Sequence, residues 1–285
     1  KKDSGMPEIH NLQLEPIVDR ALQEDWGHGD WTTDICVDKN TRAVGRIISK
    51  EETVLAGVQV AKLVFKRVSP DIQIREFFRD ADIIKKNEIL MEVQGDARAI
   101  LKAERIALNF LGRMSGIAHK TRSFVNQLEG FKTQVLDTRK TSPGLRIVEK
   151  AATAIGGARN HRLCLTDGVL VKENHIRAAG SITSAVNRLL ESLPPTLKIE
   201  VEVENLKEVH EALDAGADLI MLDNMSIPEM KLAVRTVRGR VLLEASGNIT
   251  IENVKEIAAT GVDFISTSSI LHSAPWADLS LLFEV

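Results

Sequence analysis

Cysteine is scarce: Cys36 and Cys164 are the only two, far apart, with no CxxC pair and no histidine-rich ligand spacing around them. That excludes a disulfide framework and argues against a structural zinc site, so both are expected to serve as small buried hydrophobes. No apolar run approaches the roughly 20 residues of a membrane span. The opening KKDSGMPEIH also lacks the apolar stretch of a secretory signal, and a cytoplasmic protein is expected. The chain starts at Lys1 rather than methionine, and its first six residues enter no argument. Low-complexity linkers are absent too, so any domains should pack on each other. What is present is ordinary globular composition: 285 residues, 44% hydrophobic and 27% charged, enough for one large core or two smaller ones.

Against a formal net charge of -3, the stretch Asp137 to Arg177 carries eight Lys/Arg and four acids, a local excess of +4. A basic block in an acidic protein points to an anionic ligand rather than general nucleic-acid affinity, the plain alternative being a solvated face. Spacing favours the ligand. Arg139 and Lys140 follow the apolar run TQVLD, and Lys172 ends GVLV. In a parallel sheet such run ends converge at one mouth.

The segment 14–25 reads as a short helix followed by a glycine-containing loop. Period-two runs at 43–50, 53–57, 72–78 and 89–95 then predict an α+β unit of about four strands, with a helix over 58–68. A long helical pattern runs from Ala97 to about Leu128, with a break expected near Gly112 or Gly116 and Arg105 off its apolar stripe. Beyond residue 130 strands and helices alternate. Asn205 with Glu208 and Ser226 with Glu229 read as capping boxes, and Gly216, Gly239 and Gly261 as helix stops. Apolar runs end near Glu202, Asp223, Glu244 and Phe264, about 21 residues apart, which favours a parallel barrel.

In KIEVEVEN, Glu200, Glu202 and Glu204 alternate with Ile199, Val201 and Val203, placing three carboxylates on one sheet face. That face points into a barrel or, in an edge strand, into water. Asp223, one unit later, favours the barrel and puts a second carboxylate at the mouth. Carboxylates without histidine or cysteine partners suit Mg²⁺ shared with substrate phosphates. The segments EASGN (244–248) and STSSI (266–270) offer N–H groups and hydroxyls where barrels hold a phosphate. Together these predict transfer at a phosphorylated, Mg²⁺-bound substrate with an anionic acceptor.

The blocks DTRKTSPGLR (137–146), NHRLCLTD (160–167), VKENHI (171–176), EVEVENL (200–206), LDN (222–224), EASGN (244–248) and GVDFIS (261–266) resemble, in order, the quinolinate phosphoribosyltransferases. The resemblance runs from about Leu14 to the C-terminus. It implies an N-terminal α/β sandwich (1–115) packed on an incomplete, seven-stranded α/β barrel (116–274), with the tail 275–285 returning to the first domain. It assigns quinolinate binding to Arg139, His161, Arg162 and Lys172, with Thr138 beside them. Lys140, Glu202 and Asp223 take the catalytic roles, and the two acids hold ribose hydroxyls and Mg²⁺, directly or through substrate and water. Ser246, Gly247 and Asn248 match part of a 5′-phosphate site, and Thr267, Ser268 and Ser269 the last phosphate loop. The implied partners are quinolinate and phosphoribosyl pyrophosphate, with no nucleic acid, membrane or organic cofactor. A homodimer or higher homo-oligomer is implied, with Arg105 reaching the neighbouring site.

Three positions depart from the family's pattern: Ser268 stands where a glycine lets phosphate approach the backbone, and Ala158 and Cys164 replace further glycines. Two other readings are open at this stage. One is a relative acting on another aromatic acid, such as nicotinate or the acceptor of the molybdenum-transport relatives. The other is a Schiff-base barrel enzyme using Lys140 or Lys172, which needs a desolvated lysine. A binding module would have no need of acids and bases gathered from several strand ends.

Overall fold

The computed structural model describes residues 9–285. In chain order the first half runs α1 (Asn11–Trp26), α2 (Trp31–Cys36), β1 (Arg42–Ser49), β2 (Thr53–Val54), α3 (Val58–Val68), β3 (Gln73–Glu76), β4 (Ile83–Ile84), β5 (Ile89–Asp96) and α4 (Ala97–Gln127). The middle continues with β6 (Gln134–Leu136), α5 (Arg146–Gly156), β7 (Val169–Val171), α6 (Glu173–Ala179), α7 (Ile182–Ser192), β8 (Ile199–Val203) and α8 (Leu206–Ala215). The last part holds β9 (Leu219–Asp223), α9 (Ile227–Val237), β10 (Leu242–Ser246), α10 (Val254–Ala258), β11 (Phe264–Ser266), α11 (Ser269–His272) and β12 (Leu279–Glu284). Among the described residues no helix is long and apolar enough to cross a membrane. The chain divides into two compact units, one of residues up to 122 with 141–157 and 273–285, the other of 123–140 and 158–272.

The first unit is built on an antiparallel sheet of order β12-β1-β5-β3. Along β1 the residues Ala43, Gly45, Ile47 and Ser49 are buried in alternation, the period-two signature of a half-covered sheet. Its other face carries Arg46, which pairs with Glu92 of β5 and Glu284 of β12, each at 2.8 Å. The expected four strands are thus four, with different membership. Residues 53–54 leave the sheet for a two-stranded ribbon with 83–84, and the C-terminal β12 takes the vacated edge.

The expected break in α4 does not occur. Gly112 and Gly116 are glycines because another backbone lies against the helix: a Cβ on Gly116 would stand 1.8 Å from the carbonyl oxygen of Pro275, and one on Gly112 3.0 Å from that of Ala277. Ala277 N donates back to Gly112 O at 2.9 Å. The helical pattern was therefore continuous, and the glycines mark a docking groove for the tail.

The second unit is a parallel sheet of order β6-β11-β10-β9-β8-β7. Where a seventh strand is expected, Arg159 makes a single parallel bridge to Leu136, its N–H donating to Val135 O at 2.9 Å and its carbonyl accepting from Asp137 N at 3.2 Å. Pairing stops there because Gly157, at φ +104°, caps α5 two residues before and the NHR loop departs one residue after. Ile199, Val201 and Val203 of β8 are all buried, as expected of a sheet covered by helices. The helix starts follow the sequence: Asn205 caps α8 by accepting from Glu208 N at 3.0 Å, and Ser226 with Glu229 forms the capping box of α9.

The cysteines depart from expectation. Cys36 is exposed at the end of α2, a six-residue helix in which only Thr33 is buried. Cys164 is half-buried in a turn, its thiol 3.1 Å from Asp167 Oδ1 and 3.0 Å from Thr166 Oγ1.

Substituting Gly116→Ala should lower unfolding free energy by about 1–3 kcal/mol, the usual cost of overpacking. It should also free the tail: limited proteolysis is expected to clip the segment after Ser273 faster than in the wild type. Unchanged stability and clipping would show that α4 yields at this position.

Candidate active site

Parallel pairing turns the C-terminal ends of β6 to β11 toward one side, and the second unit carries there a cavity of about 640 Å³. The loop after β6 supplies Thr138, Arg139 and Lys140, the NHR loop supplies His161 and Arg162, and Lys172 follows β7. To the same cavity β8 gives Glu202 and β9 gives Asp223. Ser246, Gly247 and Asn248 end β10, and Thr267, Ser268 and Ser269 follow β11. Every candidate residue except Arg105 therefore lines one cavity; Arg105 is exposed on α4 in the first unit.

Local bonds hold these loops. Asp137, fully buried at the end of β6, accepts from Asn160 Nδ2 at 2.6 Å and from His161 N at 2.9 Å, tying the DTRK loop to the NHR loop. Arg162 Nη1 donates to Gly168 O at 2.9 Å. Burial, and then the charge of Arg139, pull the Arg162 guanidinium below its ordinary pKa, with Glu200 opposing. Two like charges held together in a partly dry site are what an anionic ligand relieves. Lys172 Nζ is ion-paired with Glu202, so basic and acidic groups meet at the ends of β7 and β8.

The loops after β9 and β10 are stitched by amides. Asn248 Nδ2 donates to Asn224 Oδ1 at 3.0 Å, and Asn224 Nδ2 to Asp223 Oδ2 at 2.9 Å. Gly247 sits at φ +91°, and a Cβ there would stand 2.2 Å from Asn224 Oδ1, so backbone rather than side chain faces the cavity. Ser269 N and Oγ both bond Thr267 Oγ1, at 3.2 and 2.9 Å, while Ser268 faces the same cavity half-buried.

Models of the quinolinate phosphoribosyl transferase N-terminal and C-terminal domains match residues 30–115 and 117–282. The chain belongs to the quinolinate phosphoribosyltransferase family. It is 42% identical, over 94% of its length and 92% of the relative's, to a probable nicotinate-nucleotide pyrophosphorylase [carboxylating] of Synechocystis. Its structure is similar to NadC from Streptococcus pyogenes, with TM-score 0.94 and 36% identity over 98% of this chain and 99% of that one. It is also similar to the nicotinate-nucleotide pyrophosphorylase from Francisella tularensis, with TM-score 0.93 and 40% identity over 97% and 98% of the two chains.

Within this member of the quinolinate phosphoribosyltransferase family, two acids with no site role expected from the sequence lie beside His161. Glu200 and Glu244, from β8 and β10, are buried at 7% and 0% exposure and meet His161, whose Nε2 lies 3.0 Å from Glu200 Oε2 and 3.7 Å from Glu244 Oε2. The signal for Glu200 was present in the alternation of β8. Glu244 stands in plain view as the end of an apolar run, and it meets Glu200 through the pairing of β8 and β10 to either side of β9. Asn224 and His272 also line the cavity unforeseen.

Burial first, and then the neighbouring Glu200, push the Glu244 carboxyl well above its ordinary value of 4.5, with smaller opposing pulls from Ser266 and Lys172. A carboxyl raised on folding binds more protons in the folded state than in the unfolded one. Stability is therefore lost as pH rises from about 4.5 toward the folded value. Urea unfolding across this range should show that loss in the wild type and a shallower slope in Glu244→Gln, with the variant gaining on the wild type as pH rises. Parallel curves would mean that Glu244 titrates normally.

Proposed function

We propose that the protein transfers the phosphoribosyl group of phosphoribosyl pyrophosphate to quinolinate with loss of CO₂, giving nicotinate mononucleotide and pyrophosphate for NAD synthesis. The observation that carries this reading is one cavity lined by Arg139, Arg162 and Lys172 together with Glu202 and Asp223. A dicarboxylate needs paired cations, arginine being suited to bidentate contact. A ribose C1 that loses pyrophosphate develops positive charge, which the cavity's carboxylates stabilise.

Arg139, Arg162 and Lys172 hold the two carboxylates of quinolinate so that its ring nitrogen faces C1 without being protonated. Bond formation from nitrogen to C1 accompanies departure of pyrophosphate, with Lys140 beside the leaving group. The ribosylated ring is a pyridinium, which accepts the electron pair left when the C–C bond to the 2-carboxylate breaks and CO₂ departs. That carbon then takes a proton. Much of the rate comes from holding both substrates in line. Glu202 and Asp223 are half-buried oxygen donors on one cavity, a set that fits Mg²⁺ held partly through water and substrate. When bound, Mg²⁺ would neutralise charge on the leaving pyrophosphate. Organic cofactors have no step to perform. A Schiff-base reading is disfavoured because Lys140 is exposed and Lys172 is ion-paired, whereas such a lysine must be desolvated.

Arg105 has no place in its own chain's cavity and is exposed, which supports its delivery to the site of a second copy in a homodimer or higher oligomer. In vitro, Mg²⁺ and phosphoribosyl pyrophosphate with quinolinate should yield mononucleotide and CO₂ in equal amounts, and with nicotinate neither. Turnover of nicotinate, or of neither acid, would sink this reading. Arg105→Ala and Asp223→Ala should each be nearly inactive. Co-refolded, they should regain about a quarter of wild-type activity, since half of random dimers carry one intact site of two. No recovery on mixing would mean that Arg105 does not act across an interface.

A further inference from the structure

His161, Glu200 and Glu244 bring one ligand atom each within 4.8 Å of one another beneath the cavity. Such a set could hold a cation or could be a hydrogen-bonded support, and the histidine ring decides. A histidine that ligates through Nε2 keeps its proton on Nδ1 and donates it. Here Nδ1 accepts the backbone N–H of Arg162 at 2.9 Å. The proton is therefore on Nε2, aimed at Glu200 Oε2 at 3.0 Å. A ring so arranged is neither a ligand through Nε2 nor an imidazolium, because both nitrogens are used within the protein.

The same loop is held from its other side by Asp137, which accepts His161 N and Asn160 Nδ2. Residue 162 then follows directly, and its guanidinium is steered by Gly168 O. On β8 two carboxylates of one face thus divide the work: Glu202 pairs with Lys172, and Glu200 reaches Arg162 through the His161 ring. We propose that Glu200 is a positioning residue for the dicarboxylate substrate: by accepting the His161 Nε2–H it fixes the His161–Arg162 turn and hence the Arg162 guanidinium, with His161 a support rather than a substrate ligand. The proposal rests on quinolinate being the substrate and departs from the family resemblance, which gave His161 to quinolinate. Glu244, fully buried, lies against the same ring, its Oε2 3.7 Å from His161 Nε2.

The test has two independent readouts. In ligand-free protein with ¹⁵N-labelled histidine, His161 should show the Nε2–H tautomer near neutral pH and keep it when quinolinate, Mg²⁺ or Zn²⁺ is added. In steady-state kinetics, Glu200→Leu should raise KM for quinolinate about tenfold, the weight of one good hydrogen bond, with KM for phosphoribosyl pyrophosphate changed less than about twofold. Glu200→Gln, whose amide oxygen still accepts, should recover most of that loss. An imidazolium or Nδ1–H tautomer, a tautomer change on adding quinolinate or a metal, or equal KM shifts for both substrates would overturn the proposal. If Glu200→Leu does not fold, the wild-type tautomer and Glu200→Gln still decide. A wild type that forms no product from quinolinate would refute the proposed reaction, while the tautomer measurement still reports on the support.

Discussion

The parallel pairing of β6 through β11 is the constraint on which the site depends. Each strand of the second unit runs the same way, so every residue that leaves a strand at its carboxyl end arrives at the same mouth. Chemistry scattered over more than a hundred residues of sequence, from Thr138 to Ser269, is collected by hydrogen bonds that involve none of those side chains. The sheet also sets the sign of its interior. Alternation on β8 turns Glu200 and Glu202 to one face, and each acid then requires a partner, which the neighbouring loops provide as His161 and Lys172.

Charge is arranged in pairs rather than as a field. Arg139 and Arg162 repel each other, Lys172 is held by Glu202, and burial first and then Glu200 raise the Glu244 carboxyl above its ordinary pKa. Of these, the repulsion between the two arginines is the imbalance that an anion would relieve. At the ends of β9 and β10, Asn224 and Asn248 bond each other and leave the backbone of Gly247 facing the cavity. Ser268 adds a hydroxyl-bearing residue to the same cavity.

Local signals made much of this legible in the sequence. The cap residues of α8 and α9, the run ends at Glu202 and Asp223, and the basic blocks each depend on neighbours a few positions away, and the structure places them as their spacing implied. What could not be read depends on distant chain. Gly116 resembles a helix break until Pro275 is laid against it. Glu244 resembles any strand-end acid until β8 and β10 pair to either side of β9. Residues 53–54 resemble a sheet strand because nothing local says that β12 will occupy the place beside β1. Cys36 was assigned to a core on composition, whereas the short helix that carries it has no buried face to offer beyond Thr33.

The borrowed strand bears on how the molecule is made. Ser49 of β1 pairs with Leu279 of β12, so the first unit's sheet cannot be completed until the whole second unit has been synthesised. While a nascent chain grows, β1 presents an unpaired edge, and the barrel strands emerge and can pair before that edge is covered. The N-terminal unit, first out of the ribosome, is thus the last to finish. A truncation that removes only residues 279–284 would leave every cavity residue in place and still expose a strand edge ready to pair with another chain.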